Sequence, residues 1–189
     1  MHTTPEAVLD YWLNEVGPSR WFAVDETLDA EIRARFMPAW RQARAGALDS
    51  WSVDPAGALA LLILVDQFPR NMFRGDPRSF ECDARARRLA KLSIALGHDL
   101  ATEEEARIFF YLPLSHSENL FDQDRAVRLV AARMPGHVDT LVHARAHRAV
   151  IRRFGRFPFR NAALSRETAA EEAAWLEAGG YGAEVQALS

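Results

Sequence analysis

"DPAGALALLILVDQFPRN", residues 54–71, opens with an aspartate followed at once by a proline. That pair starts a helix. The Asp54 carboxylate can accept from a first-turn N–H, and Pro55 takes the first helical position, where no N–H is needed. The run from Ala58 to Val65 is the most apolar in the chain. The helix is expected to stop around Phe68, because Pro69 disfavours helical geometry in the residue before it.

The same punctuation recurs from end to end, and no stretch shows sustained strand alternation. Thr4 and Pro5 open a first helix that runs to about Val16. Asp25 caps a second, with Leu28, Ile32, Phe36, Ala39, Trp40 and Ala43 on one stripe and Gly46 at its end. Pro38 should kink or split it. A fourth covers about 81–96 and ends at Gly97. "TEEE" (102–105) reads as a capping box opening a fifth, with a kink at Pro113. A sixth spans about 122–133, a seventh about 138 to Phe154 with Gly155 as its stop, and "TAAE" (168–171) caps an eighth that finishes at Gly179 and Gly180. The expectation is one all-α domain over 1–189, about eight helices in antiparallel pairs joined by short loops.

Nearly half the 189 residues are apolar, enough for a full core. The net charge of −3 lacks the basic excess that phosphate affinity requires, so nucleic acid is not an expected partner. Of the 23 basic residues all but Lys91 are arginine, which points to base composition rather than to a binding surface. Cys82 is the only cysteine, so neither an intrachain disulfide nor a thiolate zinc cluster is expected. The N-terminal segment lacks a signal-peptide pattern, and the apolar run is too short to span a bilayer. A cytoplasmic protein without a membrane partner is expected.

Asp66 follows eight apolar residues and, on this reading, occupies the last turn of its helix, where the helix dipole disfavours an anion. Unpaired burial would cost more, so a cation must be close: Arg70, Arg156 or Arg160. A second polar run, "SHSENLFDQD" (115–124), supplies His116, Glu118, Asn119, Asp122 and Gln123. If it is helical, His116, Asn119 and Gln123 share one face, and Glu118 and Asp122 another. Alternatively, Asp122 caps the next helix. His143 and His147, four apart, share a face of the seventh helix, but Ala144 stands where a zinc protease has its glutamate. No tight metal site is expected. No phosphate loop, dinucleotide fingerprint or nucleophile elbow occurs, so no cofactor is expected.

Together "DQFPRNMFRG" (66–75), "YLPLSHSENLFDQ" (111–123) and "RFGRFPFRN" (153–161), with "VLDYW" near the start, resemble the bacterial family known as domain of unknown function 924, grouped with tetratricopeptide-like helical folds. The resemblance spans almost the whole chain. It implies stacked helical pairs and no particular activity. It places motif residues at Asp66, Gln67, Pro69, Arg70 and Asn71, at His116, Ser117, Glu118, Asp122 and Gln123, and at His147 with Arg153–Arg156, Pro158, Arg160 and Asn161. Phe159 departs from it, standing where relatives often carry a polar residue such as His.

Two readings follow. In the first, the two Phe-Pro-Arg segments and the "SHSE" segment surround a pocket for a small anion, a carboxylate or phosphate compound. Asp66, Gln67, Arg70, Asn71, Asp122, Gln123, His143, Arg156, Arg160 and Asn161 would line it. His147, Glu118 and His116 are its acid–base candidates, and hydrolysis is the least demanding chemistry. In the second, the helices form a tetratricopeptide-like module for a peptide or protein, with the polar motifs purely structural and Trp21, Phe22 and Trp51 on the contact surface. The residues leave enzyme and binding protein both open.

Overall fold

The computed structural model describes residues 3–189, and all regular structure among them is helical. The chain falls into two compact units. The first holds residues up to Arg74 and Arg78–Phe110; the second holds Gly75–Pro77 and Tyr111–Ser189.

In the first unit, α1 (Pro5–Leu9) is capped by Thr4, whose hydroxyl accepts from the Ala7 N–H at 3.3 Å. It runs on as a π-helix over Asp10–Val16, ended by Gly17 at φ 73°. Next comes α2 (Glu26–Ala45), capped by Asp25 and closed by Gly46 in the left-handed region. Pro38 lies inside α2 without splitting it. The six stripe residues of α2 are buried, as amphipathic spacing demands.

Asp54 accepts from the Gly57 N–H at 2.9 Å and opens α3 (Pro55–Leu62). The helix does not stop at Phe68. It widens into a π-helix over Ile63–Gln67, in which the Phe68 N–H bonds the Ile63 carbonyl, and continues as α4 (Phe68–Met72). Pro69 has no N–H to contribute, and the wider turn changes which carbonyl its ring faces, so the chain passes proline as a continuous helix. After it comes α5 (Asp83–Ala95).

The core of this unit is aromatic. Phe68 meets Trp12 edge-on at 5.3 Å and Phe36 at 4.9 Å, and Trp21 meets Phe109 at 4.8 Å. Trp21 also donates from its indole N–H to the Trp12 carbonyl at 2.8 Å. It is core, not contact surface. Phe22 is exposed and Trp51 half-buried.

The "TEEE" capping box does not form. Residues 104–107 are turns, and α6 (Ile108–Ser115) begins later. Arg107 donates to the carbonyls of Asp99 and Thr102 at 2.8 and 3.0 Å, the Thr102 hydroxyl donates to the His98 carbonyl, and the Thr102 N–H bonds the Asp99 carbonyl at 3.4 Å, where a capping box would give it to Glu105. Pro113 sits inside α6, which runs through it to Ser115.

In the second unit, residues 116–119 break the helix, and Asn119 caps α7 (Leu120–Arg133) by accepting from the Phe121 N–H at 2.9 Å. The face-sharing pattern expected of a helical "SHSENLFDQ" therefore does not hold for His116, Glu118 and Asn119, and Asp122 is not the cap. α8 (Val138–Phe154) packs against α7 and ends at Gly155 in the left-handed region. A short 3-10 turn, Pro158–Arg160, leads to α9 (Ala170–Glu177).

The N-cap of α9 is Ala169, whose N–H donates to the carboxylate of Glu172 in the first turn at 2.8 Å; Thr168 is instead a partner of Asn161. Gly179 and Gly180 do not end the structure. They turn the chain, with φ of 103° and 53°, into α10 (Gly180–Leu188), which packs on α8. Phe157, Val150, Ile151 and Trp175 form one core cluster of this unit, with Phe154 and Tyr181 against them. No helix among the described residues is long and apolar enough to cross a membrane.

Candidate functional site

The first motif is tied into the first unit. Asp66 is buried in the π-helical turn, so burial rather than a helix-end dipole creates its demand for a cation. Arg70, one turn on, answers it: Nη1 lies 3.3 Å from the Asp66 carboxylate and donates to the Asp66 carbonyl at 2.6 Å, while Nη2 donates to Asp83 at 3.0 Å. Burial works against the Arg70 charge, but the two carboxylates overcome it and hold the guanidinium protonated above its ordinary range. Gln67 donates to Asn71 at 3.0 Å, Asn71 donates to Asp29 at 2.9 Å, and Arg74 grips Asp29 from Nε and Nη2 at 2.8 and 3.0 Å. These bonds hold α2 to α4.

Part of the second motif has a similar duty. Arg156 pairs with Glu172 through two bonds, Nε at 2.6 Å and Nη2 at 2.7 Å, and Asn161 adds a third donor to the same carboxylate at 3.1 Å. Arg156, with the Ala169 N–H, holds the Glu172 carboxyl down to about 2. Arg156 is therefore the partner of Glu172 in the second unit. Ser117 donates to Asp122 at 2.9 Å, and Gln123 donates to the carbonyls of Ser115 and Ser117 at 2.6 and 2.7 Å, fixing the turn before α7.

Phe157 organises what remains. Its N–H donates to Glu118 at 2.9 Å, the Arg160 guanidinium lies over its ring at 4.5 Å, and the His147 ring meets it edge-on at 5.6 Å. Phe159 stacks on it at 5.2 Å. Arg166 donates to the same Glu118 oxygen at 2.9 Å. Burial pushes Glu118 up, but Arg166 and the Phe157 N–H, with Arg160 nearby, pull it further down, below the ordinary carboxylate range. Glu118 is an ionised anchor, not a proton donor at neutral pH. A shallow depression of about 460 Å³ is lined by Arg156, Arg166, Glu167 and Ala169.

His147 is half-buried, and its ring lies 5.9 Å from that of His116 and 4.7 Å from that of Tyr181. Nδ1 sits 2.9 Å from the His143 carbonyl, one turn earlier, which can only accept. The proton is therefore on Nδ1, and Nε2 presents a lone pair. Burial, then the basic groups His116, Arg160 and His143, push this imidazole down to about 3; the His143 carbonyl bond pulls the other way and is overcome. It is neutral throughout the physiological range. The Tyr181 hydroxyl reaches both histidines, 3.0 Å from Nδ1 of His147 and 2.9 Å from Nδ1 of His143. Among the described residues no group of three metal-ligating side chains converges.

Tyr181, Phe157 and Arg166 were not singled out in the sequence. Tyr181 follows two glycines read as a terminus, and Phe157 reads as an ordinary core aromatic. Arg166 stands in a loop with no motif around it.

The fold and this cluster define an all-helical protein whose second unit sets the His147 imidazole and the buried Arg160 guanidinium against Phe157, with His116, His143 and Tyr181 beside His147. The chain belongs to a bacterial protein family of unknown function, DUF924, whose model matches residues 8–180. It is similar to the protein of unknown function ATU0120 from Agrobacterium tumefaciens, whose structure superposes with a TM-score of 0.86 at 42% identity, covering 92% of this chain and 96% of that one. No curated protein matches it.

Proposed function

We propose that the second unit binds a small organic anion, such as a carboxylate, beside His147, with the neutral imidazole accepting a proton or hydrogen bond at Nε2. One observation carries this reading: the imidazole is uncharged, and the permanently charged group named among the main influences on it is the Arg160 guanidinium, which is cationic. A positive field around a neutral acceptor favours an anion that brings a proton, or an anion with a water alongside. The aromatic walls, Phe157, Phe159 and Tyr181, supply apolar contact.

The reaction class we propose is hydrolysis, with His147 taking the proton of an attacking water; an imidazole held at about 3 is too weak a base to retain that proton and must pass it on. Glu118 and Arg160 serve as fixed charges that shape the field. The first-motif residues Asp66, Gln67, Arg70 and Asn71 then act as scaffold. A tetratricopeptide-like peptide module is the alternative; it would rest on exposed apolar residues such as Phe22, Leu92, Leu96 and Leu100.

The test is titration of isotope-labelled protein with acetate, citrate and inorganic phosphate, following the His147 ring resonances. Saturable shifts at His147, abolished in Arg160→Gln, are expected. Unmoved His147 resonances at tens of millimolar of all three would sink the proposal.

A further inference from the structure

We infer that His143, Tyr181 and His147 form a proton relay that carries a proton from the half-buried imidazole to the protein surface. The inference rests on the reading of His147 as the proton acceptor. Its basis is the position of one hydroxyl between two ring nitrogens, 3.0 Å from Nδ1 of His147 and 2.9 Å from Nδ1 of His143. These are hydrogen-bond distances on both sides, and the two ends differ in exposure: His143 is exposed, His147 half-buried.

The geometry comes from two elements. His143 and His147 are one turn apart on α8, so their rings stand on the same face. α10 lays Tyr181 across them, its ring 5.9 Å from His143 and 4.7 Å from His147. Burial raises the Tyr181 phenol, so it keeps its proton and can donate to one nitrogen while accepting from the other. The other groups acting on His147 are His116, just past α6, and Arg160 from the 3-10 turn, both basic.

The step balances as follows. At rest, His147 carries its proton on Nδ1, shared between the His143 carbonyl and the Tyr181 oxygen, and His143 carries its proton on Nε2 with Nδ1 as acceptor. When His147 Nε2 takes a proton from a bound acid or water, Nδ1 gives its proton to the Tyr181 oxygen. The hydroxyl passes its own proton to Nδ1 of His143. His147 is left neutral as the other tautomer, Tyr181 is again a neutral phenol, and His143 is an imidazolium that releases its proton to solvent. An imidazole that resists charging can serve as a base only if the proton is moved on.

The experiment is the exchange rate of the His147 Nδ1–H with solvent, measured by nitrogen-edited NMR on the free protein, in wild type, Tyr181→Phe and His143→Gln. With the relay, removing the hydroxyl leaves the proton held by the His143 carbonyl alone, and exchange slows by tenfold or more. His143→Gln, at an exposed position, keeps a carbonyl acceptor for the hydroxyl but cannot carry a proton onward, and it slows exchange similarly. Equal or faster exchange in both variants would mean that Tyr181 only covers the ring, and would overturn the relay. No ligand is used, so a failed anion titration and a failed relay are separate results.

Discussion

Asp66 and Arg70 illustrate how a buried charge fixes its surroundings. The carboxylate is almost wholly enclosed, and Arg70 is shared between it and Asp83. Removing the guanidinium strands two acids in a place where neither is well hydrated. Arg70→Ala is expected to cost about 3–5 kcal/mol, the range for removing one partner of a buried ion pair. Urea unfolding at pH 7 measures it, and a loss below about 1 kcal/mol would show that water replaces the guanidinium.

Glu172 gives a residue-scale prediction with a sign. Its folded carboxyl is held at about 2 against an ordinary 4.5, chiefly by Arg156. A depressed carboxyl contributes stability that is fully present above the unfolded value and lost as pH falls through the folded one. Wild type should therefore lose stability steadily between pH 4.5 and about 2. Arg156→Ala should be less stable at pH 7 and show a shallower decline over the same window, read from melting temperature against pH. Identical slopes would mean that the Ala169 N–H and Asn161 suffice.

Among elements, the approach of the 3-10 segment Asp49–Val53 to α3 is the tightest constraint. A Cβ at Gly57 would lie 2.1 Å from the Trp51 carbonyl oxygen, a backbone atom that no rotamer change can move aside. Gly57→Ala should destabilise by about 1–3 kcal/mol despite the better helix propensity of alanine, because overpacking outweighs it. A neutral or stabilising result in chemical denaturation would show that the segment swings away freely. The capping residues Thr4, Asp25 and Asp54 were legible because a cap needs only a side chain and its own next turn. The "TEEE" cap did not form, and the Thr102 N–H that a capping box would give to the Glu105 carboxylate bonds the Asp99 carbonyl instead.

For the whole molecule, the expectation of one domain over 1–189 translates into cooperativity. The chain passes between its two compact units at 74/75, 77/78 and 110/111, and the last of these falls inside the continuous helix α6 rather than in a flexible linker. A single calorimetric transition is expected, with calorimetric and van't Hoff enthalpies equal. Two resolved transitions, with Arg70→Ala shifting one and Arg156→Ala the other, would divide the chain thermodynamically.

The sequence by itself determined the helical class, most helix starts and stops, the burial stripe of α2 and the need of Asp66 for a cation, since each follows from neighbours within about one turn. It could not say which arginine answers which acid: Arg70 goes to Asp66, Arg156 to Glu172 and Arg166 to Glu118. Nor could it show that the chain passes Pro69 through a π-turn, or that two glycines begin α10 instead of ending the fold. The His143–Tyr181–His147 contact exists because α10 packs on α8, 38 and 34 residues from the histidines it touches. Pairings over that distance depend on which helix faces meet, and that is decided by burial of the whole chain rather than by any local pattern.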